Sequence, residues 1–279
     1  MRAHSKVRFM PSRPRHHFRH LPVSPDYLVA TWPRAIGMMQ AVSFAAPCSR
    51  RDLMSICRWA GLAKERRSGG PVPTGALRRL VALAARNSSG NSYHHAGHFA
   101  HVVMAAGVLA ARAGLRSEER GLLVLAALVH DLDHQGRNAS SKLYFQETLS
   151  AQAAVRVIGG RLIAGKGGDP RLGSRIHNLL RATALTNDST RTAILRSDRL
   201  ARLLTDADIL ASVVYPLGRS MDMTRALKLE QRLAGGVFDL NRRFARMIAD
   251  TGLQSEVARD LLEMACQSRH PARNVINVV

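Results

Sequence analysis

Cysteine is scarce in this 279-residue chain: Cys48, Cys57 and Cys266 are all there is. An odd count with no Cys-x-x-Cys pair argues against a disulfide framework and a cysteine-based zinc site, and it suits a reducing, cytoplasmic compartment. Long apolar runs are missing as well. The stretch 122–129 is continuously apolar but far shorter than the roughly 18 residues a membrane-spanning helix needs, so none is expected. Convincing alternating strand patterns are absent, which removes β architectures. Acids are also few: 20 Asp and Glu against 41 Lys and Arg leave a net charge of +21. That surplus points to an anionic partner, whether nucleotide phosphate, nucleic acid or an acidic membrane surface.

Apolar residues make up 46% of the chain, enough for a sizeable core. Residues 1–34 read as a separate basic arm. Seven Arg or Lys face the single acid Asp26, and five prolines preclude a long helix, so the arm is expected to be disordered and could contact nucleic acid. Basic residues followed by the apolar stretch 35–46 faintly resemble a leader, but Gln40 and Ser43 interrupt the apolar part. Residues 35–89 read as an N-terminal helical subregion and 90–279 as a catalytic domain. Helices are expected at 74–86, 93–113, 117–131, 141–158, 174–185, 190–215, 222–250 and 255–268, with loops at Gly159-Gly160 and 165–173. Ser117 is the expected cap of the helix it opens. The fold class is therefore all-α, a compact bundle of about seven to nine helices.

Three segments carry chemistry. In Tyr93-His94-His95-Ala96-Gly97-His98-Phe99-Ala100-His101, helical spacing places His94, His98 and His101 along one stripe. In His130-Asp131-Leu132-Asp133-His134-Gln135-Gly136-Arg137-Asn138, an apolar helix ends in ionisable groups, which are costly there unless paired or ligated. Asp131 offers a carboxylate beside an imidazole, and Gly136 lets the chain turn away. In Thr205-Asp206-Ala207-Asp208-Ile209 the two acids lie on different helix faces, so one can point at a buried ion while the other is expected to be solvated.

Taken together, these segments resemble the HD superfamily of metal-dependent phosphohydrolases, and in particular the 3′,5′-cyclic-nucleotide phosphodiesterase catalytic domain, over roughly residues 90–215. That family shows Tyr-His-Asn-x-x-His, then His-Asp-x-Asp-His-x-Gly-x-x-Asn, then a later Asp; here His95 stands in the first Asn position. The resemblance implies an HD/PDEase-type bundle in which His98, His130, Asp131 and Asp208 hold one divalent ion. Asp131 would bridge to a second, mostly hydrated ion; Zn, Mn, Fe or Mg would each be compatible with His/Asp ligands. It further implies a metal-bridging hydroxide as nucleophile and His94 as the general acid that protonates the leaving ribose oxygen. His134, Asp133 and Asn138 would orient ligands or the loop.

Two departures stand out. The family's supporting Glu and His after the second motif have no clear counterpart in 143–154, where Glu147 and Gln152 are the alternatives. Its purine clamp has only a loose echo in Gln231 and Phe238, seven residues apart: on one helix they could face one pocket, but one surface Gln and one core Phe is the simpler reading. The sequence thus supports a metal-dependent phosphodiesterase acting on a small anionic nucleotide, most simply a 3′,5′-cyclic nucleotide converted to the 5′-monophosphate. The alternatives are a phosphohydrolase acting on a noncyclic nucleotide phosphate, or a basic nucleic-acid-binding protein with a vestigial metal site.

Overall fold

The computed structural model describes residues 21, 24–44, 48–62, 72–86, 91–136, 142–162, 170–184 and 186–269. Thirteen α-helices and no strands occur among the described residues. The all-α expectation holds, with more and shorter helices than expected.

The bundle is organised around α5 (Ala96–Arg112). Every residue of α5 from Ala96 to Ala110 is buried, because the segment is apolar or small on all sides except at His98 and His101. Around it pack α1 (Pro25–Ala30), α2 (Ala35–Phe44), α3 (Arg50–Ala60), α6 (Ser117–Val129) and α10 (Arg199–Val214). The crossing with α3 is close: a Cβ added at Gly107 would lie 3.0 Å from Ala60 Cβ and 3.2 Å from Ala60 Cα. A Gly107→Val substitution should therefore cost about 1–3 kcal/mol by overpacking, read as a lower denaturation midpoint with an unchanged m-value.

Several boundaries differ from the sequence expectation. The basic arm does not extend to residue 34. Ser24 caps α1 by accepting from the Tyr27 N–H (3.1 Å), and Leu28 and Trp32 are buried in the core. The Trp32 indole donates to the Leu261 carbonyl (2.7 Å) on α13 (Glu256–Arg269), so these residues are fastened to the bundle. The remainder of that arm, residues 1–20, 22 and 23, lies outside the described residues. Leu53 and Ile56 of α3 and Leu80 of α4 (Thr74–Arg86) belong to the same buried cluster as α5 and α6.

Arg116, rather than Ser117, occupies the cap position of α6, its N–H donating to Glu119 Oε2 (3.3 Å). Gly159 and Gly160 fall inside α7 (Phe145–Leu162) instead of breaking it, and α8 (Pro170–Arg181) starts within the expected 165–173 loop. The segment 190–215 is two helices, α9 (Ser189–Ser197) and α10. Asp198 separates them, accepting from the backbone N–H groups of Leu200 (2.9 Å) and Ala201 (3.3 Å) as a cap does. The segment 222–250 is likewise two helices, α11 (Leu217–Gln231) and α12 (Val237–Thr251), parted where Arg232 turns left-handed at φ 52°. None of the described helices is long and apolar enough to cross a membrane.

Candidate metal centre

Three helices bring their polar groups to one point. His98 stands in the first turn of α5, and His130 closes α6 with Asp131 directly after it. Asp208 projects from the middle of α10. The α5 start is fixed locally by His95, whose Nδ1 accepts from the Gly97 N–H (2.9 Å). His130 Nδ1 lies 2.9 Å from the Ala127 carbonyl. That carbonyl can only accept, so the ring proton sits on Nδ1 and the Nε2 lone pair is left to face the centre.

The donor atoms are mutually close. His98 Nε2 lies 3.0 Å from His130 Nε2, 3.3 Å from Asp131 Oδ2 and 3.5 Å from Asp208 Oδ1. His130 Nε2 lies 2.9 Å from Asp131 Oδ2 and 3.5 Å from Asp208 Oδ1. Two atoms that each bind one ion at about 2.0–2.2 Å are themselves roughly 2.9–3.6 Å apart. These spacings therefore fit donors that share a divalent cation, and two groups here could hold one: His98 with His130 and Asp208, and His98 with Asp131 and His94.

The electrostatics of the cluster without an ion favour two ionised carboxylates beside a protonated His130, a proton that a cation bound at Nε2 would replace. Burial opposes ionisation of Asp131, but His130 and His94 outweigh it and hold its carboxyl well below the usual range. Asp208 is lowered against its burial by His130 and then His98. Burial pushes His98 down, keeping it neutral and able to ligate. Burial also works against protonated His130, yet Asp131 and Asp208 raise it well above an ordinary histidine.

His94 stands beside this cluster, its Nε2 3.6 Å from Asp131 Oδ2. Its Nδ1 is hydrogen-bonded to Glu230 of α11, a buried acid that sequence reasoning missed. The Glu230 carboxylate also accepts from the backbone N–H groups of Tyr93 (2.7 Å) and His94 (3.0 Å). His134 stacks on His94 with ring centroids 3.6 Å apart, so it touches the candidate acid rather than the four-residue cage. Burial lowers the His94 pKa, but Asp131 and then Glu230 reverse this and leave it raised.

The loop after Asp131 turns at Gly136, with φ 68°, where a Cβ would come within 2.6 Å of Asn91 Oδ1. The Asn91 amide in turn donates to the His134 carbonyl (3.0 Å), pinning the loop.

Other residues singled out by the sequence fall elsewhere. Asp133 is exposed, at φ 57°, and its nearest cation is Arg156 at 3.8 Å. The turn points it to solvent, so it does not orient the ligands. Asn138 lies outside the described residues. His101 does not join the cluster; it sits one turn further along α5. It is buried against the Tyr215 hydroxyl (2.9 Å), and burial brings its pKa down to about 3.

Asp206 is fully buried rather than solvated. It accepts from the backbone N–H groups of Gln254 (2.7 Å) and Ser255 (2.8 Å) and from the Ser255 hydroxyl (2.6 Å), at the start of α13. An Asp206→Ala change should cost about 1–3 kcal/mol by stranding those donors. Differential scanning calorimetry would show it, and metal content measured in parallel should stay at the wild-type level.

A cavity of about 480 Å³ opens in front of the cluster, lined in part by His94, Asp131, Glu147 and Asp208. Glu147, and not the exposed Gln152, therefore faces the centre. Burial raises the Glu147 pKa, and Asp131 and Asp208 add to the rise. Gln231 lines this cavity, but Phe238 is 59% exposed and does not. The seven-residue spacing assumed one helix, and the break between α11 and α12 invalidates it. Asn241 and Phe244, one and two turns into α12, line the wall instead.

No protein-family model and no curated protein matches the chain. Among solved structures, it is similar to the phosphodiesterase domain of the rhodopsin phosphodiesterase of Salpingoeca rosetta. There the TM-score is 0.52 at 18% identity, over 80% of this chain and 83% of that one. A second structure, the phosphodiesterase domain of the RhoPDE fusion protein from the same choanoflagellate, aligns at TM-score 0.48 and 18% identity, over 88% of this chain and 86% of that one. With the helices and the His/Asp cluster in view, the first of these likenesses establishes that the chain has the all-α fold of a phosphodiesterase domain.

Proposed function

We propose that the protein is a metal-dependent phosphodiesterase that hydrolyses a 3′,5′-cyclic nucleotide to the 5′-monophosphate. The observation that carries this reading is the closeness of the His98, His130, Asp131 and Asp208 donor atoms, with Asp131, Asp208 and a His94 tethered to Glu230 lining one cavity.

A divalent ion held by these four side chains would supply Lewis-acid activation of a phosphoryl group and of water. The chain's own residues supply the rest. The Glu230 carboxylate takes the Nδ1 proton of His94 in a hydrogen bond, which fixes the ring and leaves Nε2 facing the cavity as proton donor to a leaving oxygen. Asp131 and Glu230 favour the protonated imidazole, as an acid at neutral pH requires. His134 stacked on its face prevents the ring from rotating away. The cavity wall combines hydroxyls (Thr183, Ser212, Thr224) with apolar groups (Met223, Leu227, Phe244), a mixture suited to a base and sugar carrying one phosphate. The chain's positive charge favours an anionic substrate.

The test is hydrolysis of cAMP and cGMP, with 5′-AMP and a nucleoside triphosphate as noncyclic controls, in Mn²⁺, Mg²⁺ or Zn²⁺. Cyclic substrates should be converted to 5′-monophosphates. Chelation should abolish turnover, and readdition of metal should restore it. Hydrolysis of the noncyclic compounds alone would replace this reading with the phosphohydrolase alternative, and turnover surviving chelation would overturn the metal assignment.

A further inference from the structure

A second cavity, of about 550 Å³, lies away from the metal centre, between α9, α10 and the turn from α12 to α13. Arg191, Arg196 and Arg202 line it together with Asn187, Gln254 and Asp250. Its size is that of a small-molecule site.

The arginines are unusual in their partners. Arg191 is only 7% exposed, and Nε donates to the Ala182 carbonyl (3.0 Å) and Nη1 to the Thr186 carbonyl (3.3 Å). Arg202 spends Nη1 on the carbonyls of Leu195 (2.8 Å) and Arg196 (3.2 Å). Among the described residues, no carboxylate makes an ion pair with any of these three guanidiniums. Asp188, the acid next to Arg191, is already engaged by the backbone N–H groups of Thr190 (2.8 Å) and Arg191 (3.2 Å) and by the Tyr144 hydroxyl. Nη2 of Arg191, Nε and Nη2 of Arg202 and the whole guanidinium of Arg196 have no protein partner among the described residues.

A buried cation that makes no ion pair is costly, and carbonyl dipoles with the Asp188 charge nearby offset only part of that cost. Burial indeed pushes the Arg191 pKa down, with Tyr144 and Asp188 acting the other way. A compact dianion in the cavity would supply the missing charge, and planar guanidiniums bind phosphate oxygens two at a time. Asp250 on the same wall is an acceptor and repels phosphate; beside three arginines it suits a hydroxyl carried by the same ligand. We infer that this cavity is a second binding site, separate from the metal centre, for the phosphate of a hydroxyl-bearing phosphate monoester such as a sugar phosphate.

The site stands on its own geometry and does not depend on the catalytic reading. It is tested with the full chain stripped of metal by chelator, so that the metal centre holds no phosphate, at constant ionic strength. Ribose 5-phosphate at about 100 times its Kd should raise the Tm by roughly 5 °C. Arg196→Gln, at an exposed residue without a protein partner among the described residues, should weaken binding about 10-fold or more by calorimetric titration. An Arg196→Gln/Arg202→Gln double variant should lose the Tm shift, and an Asp131→Asn variant should keep it. Equal shifts from orthophosphate and ribose 5-phosphate would overturn the sugar-phosphate assignment in favour of the bare dianion, and a larger shift from the ester would support it. The inference is also overturned if matched chloride reproduces the shift, if no ligand shifts the Tm, or if the arginine variants respond like wild type.

Discussion

Replacing His94 with alanine is expected to lower turnover about 10²- to 10⁴-fold while the protein binds metal as before. In the proposed reading the ligating atoms come from His98, His130, Asp131 and Asp208, and the short distances among them do not run through the His94 ring. His94 instead spends Nδ1 on Glu230 and keeps Nε2 near, but outside, that set of four. Metal content by mass spectrometry and kcat on cyclic nucleotide therefore part company in this variant. Equal losses of both would mean that His94 is a ligand and would remove it as the acid. Glu230→Gln supplies the matching control. It keeps the shape and one acceptor oxygen but loses the charge that favours protonated His94, so kcat should fall with KM little changed.

The second large effect belongs to Asp131. Its Oδ2 is within 3.6 Å of three imidazole nitrogens, those of His130, His98 and His94. Asp131→Asn keeps the volume and removes the charge. Loss of a hydrogen-bond partner behind a ligand typically costs 10- to 100-fold in metal affinity, and loss of the central ligand's charge should exceed that. Titration with Zn²⁺ or Mn²⁺ against a competing chelator measures it, and turnover should fall to background. Asp206→Ala, two residues from Asp208, should do the reverse, lowering stability while sparing the metal.

What could be read from the sequence was decided by chemistry that needs particular side chains at particular places on apolar helices. His98, the His130-Asp131 pair and Asp208 stood out because ionisable groups set into apolar helices are too costly to bury unless they pair or bind an ion, and in the structure His98 and His130 each lie within 3.5 Å of the other, of Asp131 and of Asp208. Glu230 was not legible. It sits in a polar stretch of α11 and acquires its role only when α11 folds over the start of α5. The misplaced Phe238 had a warning in the sequence, since Gly235-Gly236 marks a helix break that an unbroken 222–250 helix ignores. The same holds for Ser24-Pro25-Asp26, a serine cap followed by proline in the first turn, which the count of prolines and arginines obscured. Asp133 failed for a different reason: its place in the motif says nothing of the left-handed backbone that turns it outward.

Glu230 belongs to the helix that walls the cavity, yet three N–H groups at the start of α5 hold it. Wall and acid are thus mechanically interlocked. Displacing α11 would carry the carboxylate with it and release the His94 ring, so the proposed acid keeps its orientation only while α11 stays docked against residues 93 and 94.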